Sequence, residues 1–156
     1  MAVHIKVAVV IERGDQILLI KGYSGKKDGY FWNTVKGTYD NHKETLKECA
    51  EREVKEEVGI KVEIENMISS YIFSFTDGAL VQYNFLAVAQ KSAEPKVASR
   101  DEQSSRNEEI IEFAWFKKGE ALRLPKAELI NERVYLLIGD WVNEKNYQLH
   151  IIDSLD

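Results

Sequence analysis

Short apolar stretches separated by turn residues make up the first part of the chain. Residues 4–11 and 16–20 are rich in Val and Ile, and residues 12–15 between them include Gly and Asp. Because β-branched residues favour strands and a Gly-Asp pair favours a tight turn, this pattern predicts a β-hairpin. The three glycines and three lysines of residues 21–30 predict a flexible loop, and residues 31–35 a short strand.

Two longer segments have apolar positions at helical spacing. Residues 44–58 contain neither Pro nor Gly, and Gly59 follows where a left-handed C-terminal cap is favoured. The apolar stripe of this predicted helix consists of Leu46, Ala50, Val54 and Val58. A second helix is predicted over residues 126–143, directly after Pro125. Its apolar positions are Leu129, Ile130, Val134, Leu137, Ile138 and Trp141.

The rest of the pattern predicts further strands. Residues 60–75 and 80–89 are expected to pair in antiparallel fashion around a short turn, and residues 111–116 to form another strand. Residues 90–109 form the longest predicted loop, because little in them can be buried. Strands around one central helix, followed by a late helix, predict an α+β fold with a mixed β-sheet, as a single domain over residues 1–156.

Composition narrows the class of protein. At 156 residues, 44% of them hydrophobic, the chain is long enough to bury a substantial core. The net charge of −5 argues against broad nucleic-acid binding, which needs a basic surface. Cys49 is the only cysteine, so no disulfide within the chain is expected. The N-terminus lacks the apolar core of a signal peptide, and no stretch approaches the roughly 18 apolar residues of a membrane span. We therefore expect a cytoplasmic protein, with a homodimer left open.

The helix predicted over residues 44–58 carries an acidic cluster. Glu53, Glu56 and Glu57 are related by i, i+3 and i+4 and share one helix face, with Arg52 at its margin. Hard cations such as Mg²⁺ prefer carboxylate oxygens and commonly bridge to substrate phosphates, so this face is a candidate metal site. The plain alternative is a solvated acidic face balanced by nearby lysines.

The spacing of these residues resembles the motif of the Nudix hydrolase family. That motif consists of Gly, five residues, Glu, seven residues, Arg-Glu, an aliphatic residue, any residue, Glu-Glu, any residue, Gly and an aliphatic residue. The chain matches it from Glu44 to Ile60 and departs at one interval, because six residues separate Gly37 from Glu44. A loop that is one residue longer is expected to change its own contacts and leave the carboxylates in place.

The resemblance implies an α/β/α sandwich and a metal-dependent pyrophosphohydrolase. The implied reaction is attack of water on a phosphoanhydride of a nucleoside diphosphate linked to another moiety, a small-molecule substrate. The implied ligands of Mg²⁺ or Mn²⁺ are Glu53, Glu56 and Glu57, joined by the backbone carbonyl of Gly37 or Thr38.

Supporting and catalytic roles follow from the same resemblance. Arg52 would orient a neighbouring glutamate through a charge-assisted bidentate contact, Glu44 would brace Arg52 and the helix start, and Gly59 would end the helix. The general base in this family is either a motif glutamate, here Glu53, or a glutamate on a separate loop. The loop candidates are Glu108, Glu109 and Glu112. We favour Glu109 among them, with a solvated start of the next strand as the alternative for all three.

Substrate-binding residues are less well defined. The aromatic candidates for stacking on a base are Tyr30, Phe73, Phe75, Tyr83 and Phe85. Their alternation on predicted strands favours core packing. Lys26 and Lys27 are candidates for contacts with distal phosphates. Lys36-Gly37 followed by Asp40 is similar to family members that act on dinucleoside polyphosphates, while ADP-ribose and nucleotide sugars stay equally open.

The sequence has three alternatives to an active hydrolase. A Nudix-like nucleotide sensor without catalysis typically loses motif carboxylates, and all of them are present here. A related isomerase of isoprenyl diphosphates uses a cysteine outside the motif helix, whereas Cys49 lies inside it. The third alternative is an acidic helix in an interaction module.

Overall fold

A computed structural model describes residues 1–149, which build one seven-stranded sheet with helices on both faces. The strands are β1 Ala2–Arg13, β2 Gln16–Ser24, β3 Gly29–Asn33, β4 Val35–Thr38, β5 Ile64–Phe75, β6 Gly78–Val88 and β7 Ile110–Lys117. The helices are α1 Leu46–Val58, α2 Arg100–Ser105, α3 Lys118–Arg123 and α4 Glu132–Val142, with a 3₁₀ turn at Lys126–Glu128.

The sheet is mixed. Its strand order is β3-β2-β1-β6-β5, with β4 attached to β1 and β7 attached to β2. β1 runs parallel to β6 and antiparallel to β2 and β4. The predicted α+β fold with a mixed sheet is confirmed.

The centre of β1 explains why both faces of the sheet are covered. Val7, Val9 and Ile11 pack into the core cluster that contains the apolar side of α1. Ala8 and Val10 pack into the opposite cluster, together with the apolar side of α4. All five residues are at most 1% exposed. A strand with no solvent-facing side needs an uninterrupted apolar run, and the two covered faces make the expected α/β/α sandwich.

Helix α1 has well-defined caps at both ends. The Thr45 hydroxyl accepts a hydrogen bond from the N–H of Glu48 at 3.1 Å, and the Glu48 carboxylate accepts one from the N–H of Thr45 at 2.9 Å. This reciprocal capping box satisfies two backbone donors that the first turn leaves free. At the other end Gly59 has φ of 69° and donates its N–H to the carbonyl of Lys55, which confirms the predicted left-handed cap.

The predicted flexible loop over residues 21–30 is wrong. β2 continues to Ser24 and β3 begins at Gly29, so Tyr23 pairs with Tyr30 across the ribbon. The strand predicted over residues 31–35 is divided, because β3 ends at Asn33 and β4 begins at Val35.

Two predicted boundaries in the second half also change. The predicted loop over residues 90–109 contains α2, which starts with its own capping box at Ser99. The late helix begins at Glu132, after the Asn131 side chain accepts from a backbone N–H in the first turn. Leu129 before it is extended and bridges to Trp32 of β3, since tertiary pairing there outweighs helical spacing. None of the helices within residues 1–149 is long and apolar enough to cross a membrane.

Candidate active site

An open cleft of about 550 Å³ lies against α1. Its walls come from α1, from β4, from the ends of β2 and β3, and from the loop of residues 106–109 between α2 and β7. β4 pairs with β1, and β7 pairs with the neighbouring strand β2. Residues that are distant in sequence therefore meet at this cleft.

Three carboxylates converge on one point in the cleft. Ligand oxygens of Glu53, Glu57 and Glu108 all lie within 4.8 Å of one another. Glu53 and Glu57 are only 7% and 6% exposed, so the helix buries them instead of presenting them to solvent. Glu56, the other predicted ligand on α1, is more exposed and lies between two arginines. Glu108 is the third member of this converging cluster, and helical spacing could not place it there because it lies on a separate loop.

Arg52 forms ion pairs with Glu44 and Glu53 at one side of this cluster. Its Nε and Nη2 donate to the two carboxylate oxygens of Glu44 at 3.1 and 2.8 Å. Its Nη1 donates to Glu53 at 3.0 Å and approaches Glu56 at 3.4 Å. The bidentate partner is therefore Glu44, and the glutamate that Arg52 orients is Glu53. The hydrogen bond from Arg52 lowers the pKa of Glu44 despite partial burial, so this pair is charged at neutral pH.

Gly37 is required for close approach and not for a turn. It lies inside β4, paired with Val7, and its backbone is not among the left-handed glycines of the described residues. A Cβ at this position would lie 2.0 Å from Cδ of Glu53. The extra residue before Glu44 lies in the following loop, where the Tyr39 hydroxyl donates to the carbonyl of Glu44 at 2.7 Å.

Burial makes it unfavourable for the carboxylates of the cluster to stay charged without a compensating cation. Burial raises the pKa of Glu53 to about 7, against the opposing effect of Arg52. Burial also raises the pKa of Glu57 well above its usual range, and the charges of Glu108 and Glu53 add to that rise. Oε2 of Glu57 is buried without a hydrogen-bond partner among residues 1–149. An unsatisfied buried polar atom costs about 1–3 kcal/mol, which a bound cation would remove. The cluster is therefore able to hold a divalent metal ion.

The loop glutamates have different surroundings. The Tyr30 hydroxyl donates to the carboxylate of Glu109, and the backbone carbonyl of Glu109 accepts from Tyr23 at 2.9 Å. Glu112 pairs with Lys21 at 3.6 Å outside the cleft lining. Glu108 is the loop glutamate that reaches Glu53 and Glu57, whereas Glu109, favoured from the sequence, lies at the cleft wall beside Tyr30.

The predicted substrate residues are only partly brought together. Tyr30 is 40% exposed, and its ring meets that of Tyr23, a cleft-lining residue, edge-on at 5.5 Å. Lys26 is exposed in the turn after β2, and Lys27 donates to a backbone carbonyl at 3.0 Å; neither belongs to the described cleft lining. Phe85 is fully buried in the core, which confirms the core packing favoured from the sequence, and its candidate role in stacking on a base is wrong.

Two lysines that the sequence analysis did not assign to phosphate binding lie in the cleft. Lys36 is on β4 beside Gly37, and Lys6 on β1 donates to the hydroxyl of Thr38. Burial, together with the neighbouring charges of Arg133 and Lys6, lowers the pKa of Lys36 to about 8. The β1–β4 register, which pairs Lys6 with Thr38, brings both lysines to the cleft. The sequence pattern alone does not determine this register, because it depends on tertiary structure.

Comparison with known families agrees with this geometry. The sequence matches the NUDIX domain family over residues 2–138. The chain belongs to this family. The resemblance seen in the motif is thereby confirmed, and with the motif carboxylates complete the protein is a Nudix pyrophosphohydrolase. A comparison of the sequence with curated proteins gives no significant match.

Solved structures of Nudix proteins share the fold. A NUDIX hydrolase from Nitrosomonas europaea superposes with a TM-score of 0.78 at 22% identity, covering 99% of this chain and 98% of that one. A MutT NUDIX hydrolase from Burkholderia pseudomallei gives 0.70 at 22% identity, with 90% and 98% covered. A structure described as an ADP compounds hydrolase gives 0.72 at 19% identity, with 90% and 74% covered. At these identities the likeness establishes the fold.

Proposed function

We propose that the protein is a metal-dependent hydrolase that cleaves a phosphoanhydride bond in a nucleoside diphosphate linked to another moiety. The observation that carries this proposal is the convergence of Glu53, Glu57 and Glu108, with one buried oxygen of Glu57 unpartnered within residues 1–149. Carboxylates in this arrangement suit Mg²⁺ or Mn²⁺, hard cations that prefer oxygen ligands.

Metal binding would involve chain groups that already lie together. Glu53, Glu57 and Glu108 would hold the ion, with Glu56 and the backbone of Gly37 beside them. A bound divalent ion supplies neutralisation of diphosphate charge and a lowered pKa of water. Arg52 and Glu44 keep the Glu53 carboxylate in place by their own ion pair.

Acceptance of the proton from the attacking water is assigned to a cleft carboxylate. Glu53 and Glu108 are the first candidates for this general base, because both belong to the converging carboxylate cluster. Glu109 remains a candidate at the cleft wall, where its carboxylate is held by the Tyr30 hydroxyl.

The other side of the cleft suits the rest of such a substrate. Lys6 and Lys36 offer cationic groups to phosphate oxygens. Tyr23 and Tyr30 offer exposed aromatic surface for a base. The substrate classes to be tested are ADP-ribose, nucleotide sugars, dinucleoside polyphosphates and nucleoside triphosphates, and a neighbour described as an ADP compounds hydrolase makes the first a natural starting point.

The decisive experiment compares Glu57→Gln with wild type on this substrate panel in Mg²⁺. We expect hydrolysis to fall by at least about 100-fold, since a direct metal ligand matters at least as much as the groups that orient ligands. The thermal midpoint of the metal-free variant should be equal or higher, because the substitution removes a buried carboxylate with one oxygen unpartnered within residues 1–149.

Glu63→Gln is the matched control, since Glu63 is exposed between α1 and β5 and the same charge is removed. Its hydrolysis rate should equal that of wild type. Unchanged hydrolysis in the Glu57 variant would refute the proposal. Nucleotide binding by wild type without any hydrolysis would favour the sensor alternative.

A further inference from the structure

The loop that carries Glu108 is short and joins α2 to β7. Connecting loops ordinarily open at lower free energy than the helices and strands they join. A carboxylate that completes a metal cluster must nevertheless be held close to its productive position. The contacts of residues 106–109 show how this loop is held.

The buried residue Gln103 holds the two ends of this loop together by hydrogen bonds. Its side chain is 7% exposed, and its amide donates to the carbonyls of Ala98 at 2.9 Å and Ile110 at 3.0 Å. The amide oxygen accepts from the N–H of Ile110. The backbone carbonyl of Gln103 accepts from the N–H groups of Arg106 at 3.0 Å and Glu108 at 2.9 Å. One residue therefore binds both ends of the loop, on either side of the Glu108 side chain.

Arg106 joins the loop to α1. Its Nη2 donates to the backbone carbonyl of Glu56 at 2.9 Å, one of the last carbonyls of the helix. Its Nε donates to Glu108 at 3.2 Å and lies 4.0 Å from the Glu56 carboxylate. The planar guanidinium can make these contacts at once, which a lysine cannot. Arg106 thus fixes the distance between Glu108 and the helix that carries Glu53 and Glu57.

We propose that Gln103 and Arg106 are positioning residues that hold Glu108 against Glu53 and Glu57 for divalent metal binding. The proposal rests on the metal site of the proposed function. Simple electrostatics predicts the opposite sign for Arg106. A cation beside the cluster repels a metal ion, so its removal alone would tighten metal binding. Removal of a positioning residue weakens it, and the direction of change separates the two roles.

The experiment measures Mn²⁺ affinity of the full chain by electron paramagnetic resonance. We expect Arg106→Gln and Arg106→Lys to weaken Mn²⁺ binding by about 10- to 100-fold, the usual effect of losing a group that orients a ligand. Arg100→Gln is the control, because Arg100 is an exposed residue of α2 and the same charge is removed. Its Mn²⁺ affinity should equal that of wild type.

Two further measurements test whether the effect passes through Glu108. In a Glu108→Gln background, Arg106→Gln should produce no additional loss, because the group that it positions is already gone. In metal-free protein, amide hydrogen exchange at Glu108 and Ile110 should accelerate in Arg106→Gln and in Gln103→Leu. Arg106 is partly exposed, so its variants keep the experiment decisive if Gln103→Leu fails to fold.

The outcomes are distinct. Equal or tighter Mn²⁺ binding in Arg106→Gln would overturn the positioning role, as would a loss of the same size in the Glu108→Gln background. Failure of wild type to bind Mn²⁺ and to hydrolyse any substrate would instead remove the proposed function, and this inference with it.

Discussion

At the scale of single residues, the position of the Glu53 carboxylate depends on close packing as well as on charge. Arg52 holds one side of its carboxylate at 3.0 Å, and the absent side chain of Gly37 leaves room on the other. The three atoms nearest to a Cβ on Gly37 would be Cδ, Oε1 and Cγ of the Glu53 side chain, so none of them belongs to the backbone. A larger residue at position 37 therefore requires the Glu53 side chain to move.

Gly37→Ala should consequently fold and lose function. We expect the thermal midpoint to change little, because a side-chain end can rotate away, and hydrolysis to fall by about 100-fold as Glu53 is displaced. Mn²⁺ affinity and substrate turnover measure the effect.

Gly139→Ala in α4 is the matched control for this substitution. A Cβ on Gly139 would meet no atom within 4 Å, and alanine favours a helix over glycine by about 1 kcal/mol. This variant should be more stable and equally active. Full activity in Gly37→Ala would contradict the packing argument.

At the scale of elements, α1 combines a capped N-terminus with two candidate metal ligands. Its capping box lies at Thr45 and Glu48, while Glu53 and Glu57 lie near its other end. Cys49, Ala50, Val54 and Val58 are completely buried and anchor the helix on the sheet. Burial raises the pKa of Cys49 to about 12, which keeps it a thiol and consistent with packing.

Thr45→Ala should lower the free energy of unfolding by about 1 kcal/mol, because the first turn loses a side-chain acceptor. Urea denaturation measures this change. Thr45→Ser keeps a hydroxyl in the same place and should retain most of the stability. Equal stability of the Ala and Ser variants would show that the box contributes nothing.

At the scale of the whole molecule, two carboxyl groups have higher pKa values in the folded state than in the unfolded chain, so the stability of the protein depends on pH. The pKa of Glu53 in the fold is about 7, above its ordinary value of 4.5, and that of Glu57 is raised in the same direction. Their contribution to stability is complete below the unfolded pKa and is lost as pH rises through the folded pKa. Glu44, whose pKa is lowered, acts only at more acidic pH.

Metal-free protein should therefore become less stable between about pH 5 and pH 8, by on the order of 3 kcal/mol for Glu53. Urea denaturation at several pH values measures the slope. Mg²⁺ at pH 8 should restore stability, since metal binding favours the deprotonated ligands. Glu53→Gln should flatten the slope, and a slope that is unchanged in this variant would contradict its assignment to Glu53.

Local sequence accounts for much of the fold. The helical spacing of Ala50, Val54 and Val58, and the glycine at position 59, determine where α1 packs and where it ends. The loop predicted over residues 21–30 was wrong, because glycines and lysines are also compatible with a paired ribbon once a partner strand is present. The last helix was also predicted to begin too early, since the pairing of Leu129 with Trp32 is a long-range contact.

The motif by itself determined the family, the reaction class and the ion pair of Glu44 with Arg52, because these depend on spacing within one helix and the residues just before it. Only the tertiary structure decided that Glu108 joins Glu53 and Glu57 and that Gly37 gives room to a carboxylate, and only it excluded stacking of Phe85 on a base. The physical reason is that burial and convergence bring together chain segments that are distant in the sequence, which local periodicity does not encode.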